Sequence, residues 1–204
     1  MPSRLPTRRT VAAALVVAPA LWRSALAQAP RRLTPRQTEG PFYPVALPSD
    51  TDFDLLRNGA QRYAKGEAGW LEGTLTDVDG RPVGGGVVEI WQCDAAGHYH
   101  HPGDGGADPA FQGFGRVAVD AQGRWRFRTL RPVPYTGRTP HIHLKARLAQ
   151  RELLTTQVYV QGDPHNARDG LWRSLGAEDR AAVTVPFTAG AEGWRADFPL
   201  VVAA

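Results

Sequence analysis

At 204 residues with 42% hydrophobic side chains, the chain is long enough for one well-buried core and short for two independent domains. Its formal charge of +4 is concentrated at the start: residues 1–27 carry Arg4, Arg8, Arg9 and Arg23 and no acidic residue, leaving 20 basic residues (24 less those four) against 20 acidic ones. The near-neutral remainder gives no electrostatic basis for nucleic acid or an anionic membrane surface as partner, and the lone Cys93 excludes an intrachain disulfide.

In chain order, Thr7-Arg8-Arg9-Thr10 precedes an apolar run over 11–21 and then Ala25-Leu26-Ala27 ahead of Gln28, the order of a secretory signal peptide cleaved after Ala27. The apolar run is about half the ~20 residues a bilayer span needs, so the mature chain is expected to have no integral membrane span. The paired arginines resemble a twin-arginine signal, although no Phe-Leu-Lys follows them. Export to the periplasm or outside the cell is therefore expected. In an oxidising compartment a domain without a disulfide depends on packing, a metal or subunit contacts, which leaves a place for a homo-oligomer.

Residues 28–68 are rich in Pro and Gly without a clear period and predict an irregular arm laid over a core. From residue 69 to 204 the texture changes to short alternating or apolar runs, predicting strands over 70–76, 86–93, 114–119, 124–129, 141–148, 153–159, 181–187 and 194–201. Turn signals such as Asp79-Gly80, Gln122-Gly123 and Gln161-Gly162-Asp163 lie between them. A short helix is read over 169–175. The pattern predicts an all-β fold, a mostly antiparallel β-sandwich with an irregular N-terminal arm.

His141-Ile142-His143 is the sharpest chemical feature. On a strand, residues i and i+2 share a face, so both imidazoles point to one side while Ile142 points to the other. Such a pair can bind a metal, and it can also be packed or surface histidine. Tyr135, after Pro132-Val133-Pro134, and Tyr99, after the 89–98 strand-and-turn run, are by default core aromatics with a satisfied hydroxyl. Trp70, Trp91, Trp125, Trp172 and Trp194 are read as packing residues.

Five segments in order, Thr38-Glu39-Gly40-Pro41-Phe42-Tyr43-Pro44, the 89–99 run, Thr129-Leu130-Arg131-Pro132-Val133-Pro134-Tyr135, Arg138-Thr139-Pro140-His141-Ile142-His143 and Leu154-Thr155-Thr156-Gln157, together resemble the intradiol ring-cleavage dioxygenases, of the exported protocatechuate 3,4-dioxygenase-like kind. The resemblance implies Tyr99, Tyr135, His141 and His143 as ligands of one iron(III). It also implies Arg138 and Gln157 beside the substrate, and Thr38, Gly40 and Pro41 as substrate contacts. The implied reaction cleaves a catechol-type small molecule with O₂ between its two hydroxylated carbons, giving a muconate-type diacid. Hard phenolate donors suit a trivalent ion, and an always-cationic planar Arg suits a developing enolate.

His98, His100 and His101 flank Tyr99 ahead of Pro102-Gly103-Asp104-Gly105-Gly106. They are read as loop histidines at a site mouth, with a second metal site as the alternative. A rival for the whole chain is an exported, non-catalytic β-sandwich binding carbohydrate or a protein partner, because a sandwich alone does not fix function.

Overall fold

The strongest alternation in the chain runs through Arg124-Trp125-Arg126-Phe127-Arg128, where the arginines face out and Trp125 and Phe127 are buried. The computed structural model describes residues 31–204; the predicted signal segment 1–27 and residues 28–30 of the arm lie outside it. A small hairpin joins β1 (Arg57–Asn58) and β2 (Gln61–Arg62). The longer strands are β3 (Ala68–Asp77), β4 (Gly86–Trp91), β5 (Phe114–Ala118), β6 (Arg124–Leu130), β7 (His141–Leu148) and β8 (Arg151–Val160). After a 3-10 turn over Asn166–Arg168 come α1 (Gly170–Ser174), α2 (Ala177–Val183), β9 (Thr184–Val185), β10 (Thr188–Gly190), β11 (Gly193–Asp197) and β12 (Leu200–Val202).

Two five-stranded sheets result, one ordered β10-β11-β3-β12 with β6 also on β3, the other β5-β4-β7-β8-β9. Leu71, Leu75 and Phe127 of the first share one buried cluster with Ile90, Ile142, Leu144 and Val158 of the second. Each fully buried aliphatic or Phe side chain stabilises the sandwich by about 1.5–3 kcal/mol relative to exposure. The all-β sandwich is thus as the alternation predicts, and most pairings are antiparallel. The exceptions are β11 and β12 on β3 and β9 on β8, which are parallel.

Two segments differ from the sequence reading. Most of 181–187 is not strand: α2 carries Glu178 and Asp179 in its first turn, favourable at a helix N-terminus, and its alanines are strong helix formers. Only Thr184–Val185 joins the sheet. The described part of the arm, residues 31–67, is irregular apart from the β1–β2 hairpin, yet it is tied down. Thr34 exchanges hydrogen bonds with Val201, Gln37 N–H donates to the Thr155 carbonyl at 2.9 Å, and Lys145 pairs with Glu39.

That strapping explains the burial of β7. Ile142, Leu144 and Ala146 enter the core cluster, and the opposite face, with His141, His143 and Lys145, is also buried because the arm lies over it. Cross-strand register fills the same face with Tyr159 opposite His141, and Trp91 and Gln157 on either side of His143.

Close packing between the strands leaves little room at β3. A methyl group on Gly73 would sit 2.2 Å from the Phe198 carbonyl oxygen and 2.9 Å from the Trp125 ring. Gly73→Ala is therefore expected to destabilise the fold by about 1–3 kcal/mol, as for other overpacked sites, read as a lower Tm with the far-ultraviolet spectrum unchanged. An unchanged Tm would mean that the Phe198 backbone and the Trp125 ring give way more freely than this geometry allows.

Candidate metal centre

His141 and His143 bring their Nε2 atoms to 3.2 Å from one another, and the Tyr135 hydroxyl lies 3.5 Å from His141 Nε2. Tyr99 packs edge-on to Tyr135 with ring centroids 5.2 Å apart and lies 6.2 Å from the His143 ring. Two adjacent strand positions, a turn and a loop thus converge. The turn is Tyr135–Arg138, closed by Arg138 N–H donating to the Tyr135 carbonyl at 2.7 Å. Its central residues Thr136 (φ 36°) and Gly137 (φ 76°) are both left-handed, the signature of a type I′ turn, which sets Tyr135 and Arg138 side by side.

The Tyr99 loop is built around two carboxylates. Asp94 accepts from the Ala96 and His98 N–H groups at 2.9 and 3.0 Å, and Asp104 accepts from Tyr99 N–H at 2.6 Å and faces His98 Nδ1 at 2.9 Å. His100 turns its Nε2 to the Phe111 carbonyl, and His101 Nδ1 accepts from Gly103 N–H at 3.0 Å. The three loop histidines therefore have separate local partners and do not form a second cluster. Among the described residues no group of three or more His, Cys, Asp or Glu is placed to hold a metal, so any ion here depends on the two tyrosines.

Orientation of the donors is set from outside. His141 Nδ1 lies 2.6 Å from the Thr139 carbonyl, so the ring donates there and keeps a lone pair on Nε2. Trp91 stacks on His143 at 4.8 Å and 11°, and Phe42 of the arm stacks on Tyr99 at 4.6 Å and 17°. Arg138 Nε donates to Asp169 Oδ2 at 2.7 Å and Arg138 Nη2 to Gln157 Oε1 at 2.7 Å. Gln157 Nε2 in turn donates to the Thr38 carbonyl at 3.0 Å.

Electrostatics keep the donors uncharged on their own. Burial and then the Arg138 charge push His141 down to about 3, against the Thr139 carbonyl. Burial, His141 and Arg138 hold His143 well below its usual value. Burial, reinforced by Tyr135, raises Tyr99 well above the ordinary phenol range, and burial also raises Tyr135, while Arg138 pulls it down. The Tyr99 hydroxyl is buried without a hydrogen-bond partner. Such a group costs roughly 1–3 kcal/mol, and His143 Nδ1 is also buried without a partner. A cation held between the Tyr99 oxygen and the two Nε2 atoms would relieve the first, and a proton moved from His143 Nε2 to Nδ1 would leave both imidazoles a lone pair for it. All four donors are nitrogen or oxygen, and the buried Cys93 thiol, pushed up to about 12 by desolvation, is not among them, so the set fits a hard first-row ion.

Of the remaining residues anticipated from the sequence, Gly40 lies against the imidazole, where an added methyl would meet His143 Cε1 at 3.4 Å. Thr38 reaches the centre through its carbonyl, while its hydroxyl accepts from Gly40 N–H at 3.2 Å. Pro41 is exposed at the next bend. Trp91, read as a packing residue, is a wall of the site. Asp169, Tyr159 and the stacking role of Phe42 were not anticipated. Asp169 was legible only as the first residue of the short helix read over 169–175, and the place of Trp91 and Tyr159 required the strand register.

The profile of the Dioxygenase family matches residues 38–201. The chain is 35% identical over 161 residues to the protocatechuate 3,4-dioxygenase beta chain of Burkholderia cepacia, covering 71% of this chain and 68% of that one. It is 34% identical over 143 residues to hydroxyquinol 1,2-dioxygenase of Corynebacterium glutamicum, covering 61% of this chain. It spans about half the length of the hydroxyquinol and catechol relatives, 45% and 49%. Among solved structures, the dioxygenase domain of a dioxygenase carbohydrate-binding protein fusion from Streptomyces sp. SirexAA-E superposes with a TM-score of 0.67 at 28% identity, over 83% of this chain and 97% of that one. With the family profile spanning most of the chain and this fold beneath it, the chain belongs to the intradiol ring-cleavage dioxygenase family.

Proposed function

We propose that the protein is an iron(III)-dependent intradiol dioxygenase that opens a catechol-type ring between its two hydroxylated carbons. The observation that carries this reading is the meeting of two phenols and two imidazoles beside a partly buried guanidinium anchored by a buried carboxylate. Tyr99, Tyr135, His141 and His143 would hold the ion. Bound there, iron(III) supplies a Lewis-acidic, electron-accepting centre for a deprotonated catechol.

The chain's own groups divide the remaining work. Tyr99 and the two histidines are almost fully buried, whereas Tyr135 is only partly so and is the donor an incoming catechol meets first. As a phenolate, its Oη accepts a catechol proton. Arg138 places a permanent positive charge next to Tyr135, where negative charge grows on the ring. Gln157 holds one edge of that guanidinium and, through the Thr38 carbonyl, the arm. Phe42 and Trp91 wall the donors off from water, which strengthens each electrostatic interaction inside.

The test is the product. With catechol, protocatechuate, hydroxyquinol and substituted catechols supplied in turn, at least one is expected to yield a ring-opened diacid carrying both atoms of ¹⁸O₂, read by mass spectrometry. A semialdehyde from cleavage outside the diol, or a hydroxylated but intact ring, would overturn the intradiol assignment.

A further inference from the structure

We propose that Asp169 is the positioning residue on which both sides of the site depend, fixing Arg138 directly and His141 through Thr139. The proposal rests on the iron-dependent reading above for its consequence in turnover, but not for its structural content.

Asp169 is 0% exposed, and a buried carboxylate is costly unless its lone pairs are used. Oδ1 accepts from Trp172 N–H at 2.9 Å and so caps α1. Oδ2 is not needed for that cap. It accepts from Arg138 Nε at 2.7 Å and from Thr139 N–H at 2.9 Å. Burial alone would raise this carboxyl, yet the Trp172 and Thr139 amides with the Arg138 guanidinium hold it below the usual range, so the charge facing Arg138 persists at neutral pH.

From Thr139 the support continues to the imidazole. Its hydroxyl donates to Asn166 Oδ1 at 2.6 Å, and Asn166 Nδ2 donates to the Val160 carbonyl at 2.9 Å. Thr139, so pinned by its N–H and hydroxyl, offers its carbonyl to His141 Nδ1 at 2.6 Å, which selects the tautomer with a free Nε2 lone pair. On the other branch, Asp169 and Gln157 grip two edges of the guanidinium and leave the rest of its fork toward Tyr135. A single carboxylate oxygen thus sets both the cation that meets growing negative charge and the lone pair that meets a metal.

Asp169→Ser separates this role from capping. Serine caps helices about as well as aspartate does, so its single oxygen can still accept from Trp172 N–H. No acceptor is then left for Arg138 Nε–H and Thr139 N–H. Nitrogen NMR of the iron-free protein labelled in His and Arg reads both branches without turnover. In the wild type, His141 is expected as the Nδ1–H tautomer and Arg138 Nε–H as a slowly exchanging proton. In the variant, His141 is expected to lose that single tautomer and Arg138 Nε–H to exchange rapidly. In the iron-loaded variant kcat is expected to fall by about 10–100-fold, as for other residues that orient a ligand or catalytic group from behind, with KM little changed. Should Asp169→Ser fail to fold, Asp169→Asn, whose amide can accept on only one side and carries no charge to face Arg138, is measured in the same way. Wild-type tautomer and exchange in the folded variant would overturn the proposal. A wild type inactive on catechols, with both NMR changes present in the variant, would instead overturn the enzymatic reading and leave the role of Asp169 standing.

Discussion

Tyr99→Phe is expected to give a colourless protein that retains almost no iron and turns over no catechol. The ring still stacks on Phe42, so the change removes one oxygen and little packing. Losing an outer partner of a metal ligand already costs 10–100-fold in affinity, and loss of a donor is expected to exceed about 100-fold on that scale. The effect on stability should have the opposite sign in the absence of metal. The wild-type hydroxyl is buried and unpartnered, a penalty of roughly 1–3 kcal/mol, so metal-free Tyr99→Phe should melt no lower than metal-free wild type. Iron-loaded wild type should melt above both, because an ion that binds only the folded state stabilises it. Metal analysis, the visible tyrosinate-to-iron absorption and paired melting curves check these statements. Full iron content with an unchanged visible spectrum would remove Tyr99 from the ligand set.

Arg138→Ala should separate chemistry from metal binding. The guanidinium donates to Asp169 and Gln157, and the bond from Arg138 to Tyr135 runs from backbone N–H to carbonyl, so truncating the side chain removes none of the four donors. The variant is therefore expected to bind iron and keep its colour while kcat falls by about 10²-fold or more, the scale of deleting one preorganised electrostatic stabiliser. Arg138→Lys should recover little of the loss, since a single ammonium cannot bridge Asp169 and Gln157 as the planar fork does. Arg138→Ala also leaves Asp169 buried without its usual counter-charge, so in that variant a lower Tm accompanies the kinetic loss. Steady-state kinetics on iron-quantified protein decides the matter: wild-type kcat at full iron loading would deny Arg138 a part in the reaction.

The divide between local and distant information runs through particular residues. Strands β3 to β8 were readable because alternation is a local property: Trp125 and Phe127 turn inward between arginines whatever the rest of the chain does. The 181–187 segment was misread because its apolar residues were joined into one run, although the alanines favour helix over strand and the acidic first turn that starts that helix lies upstream. The parallel partners β11 and β12 of β3 are more than a hundred residues away from it in sequence, beyond the reach of any local pattern.

For the site, the sequence by itself determined that His141 and His143 share a face, that Tyr99 and Tyr135 stand in segments resembling those of intradiol dioxygenases, and that Arg138 and Gln157 accompany them. Covalent spacing and the two-residue period of a strand suffice for the first, and ordered motifs for the others. Only the tertiary structure decided that Phe42 stacks on Tyr99, that Trp91 stacks on His143, and that Asp169, 31 residues from Arg138, becomes its buried counter-charge. Those contacts depend on sheet register and on an arm folded back across β7 and β8. A buried carboxylate also takes its meaning from what surrounds it: in the sequence Asp169 only opens a short helix, and it joins the site where desolvation and three N–H donors meet on its two oxygens.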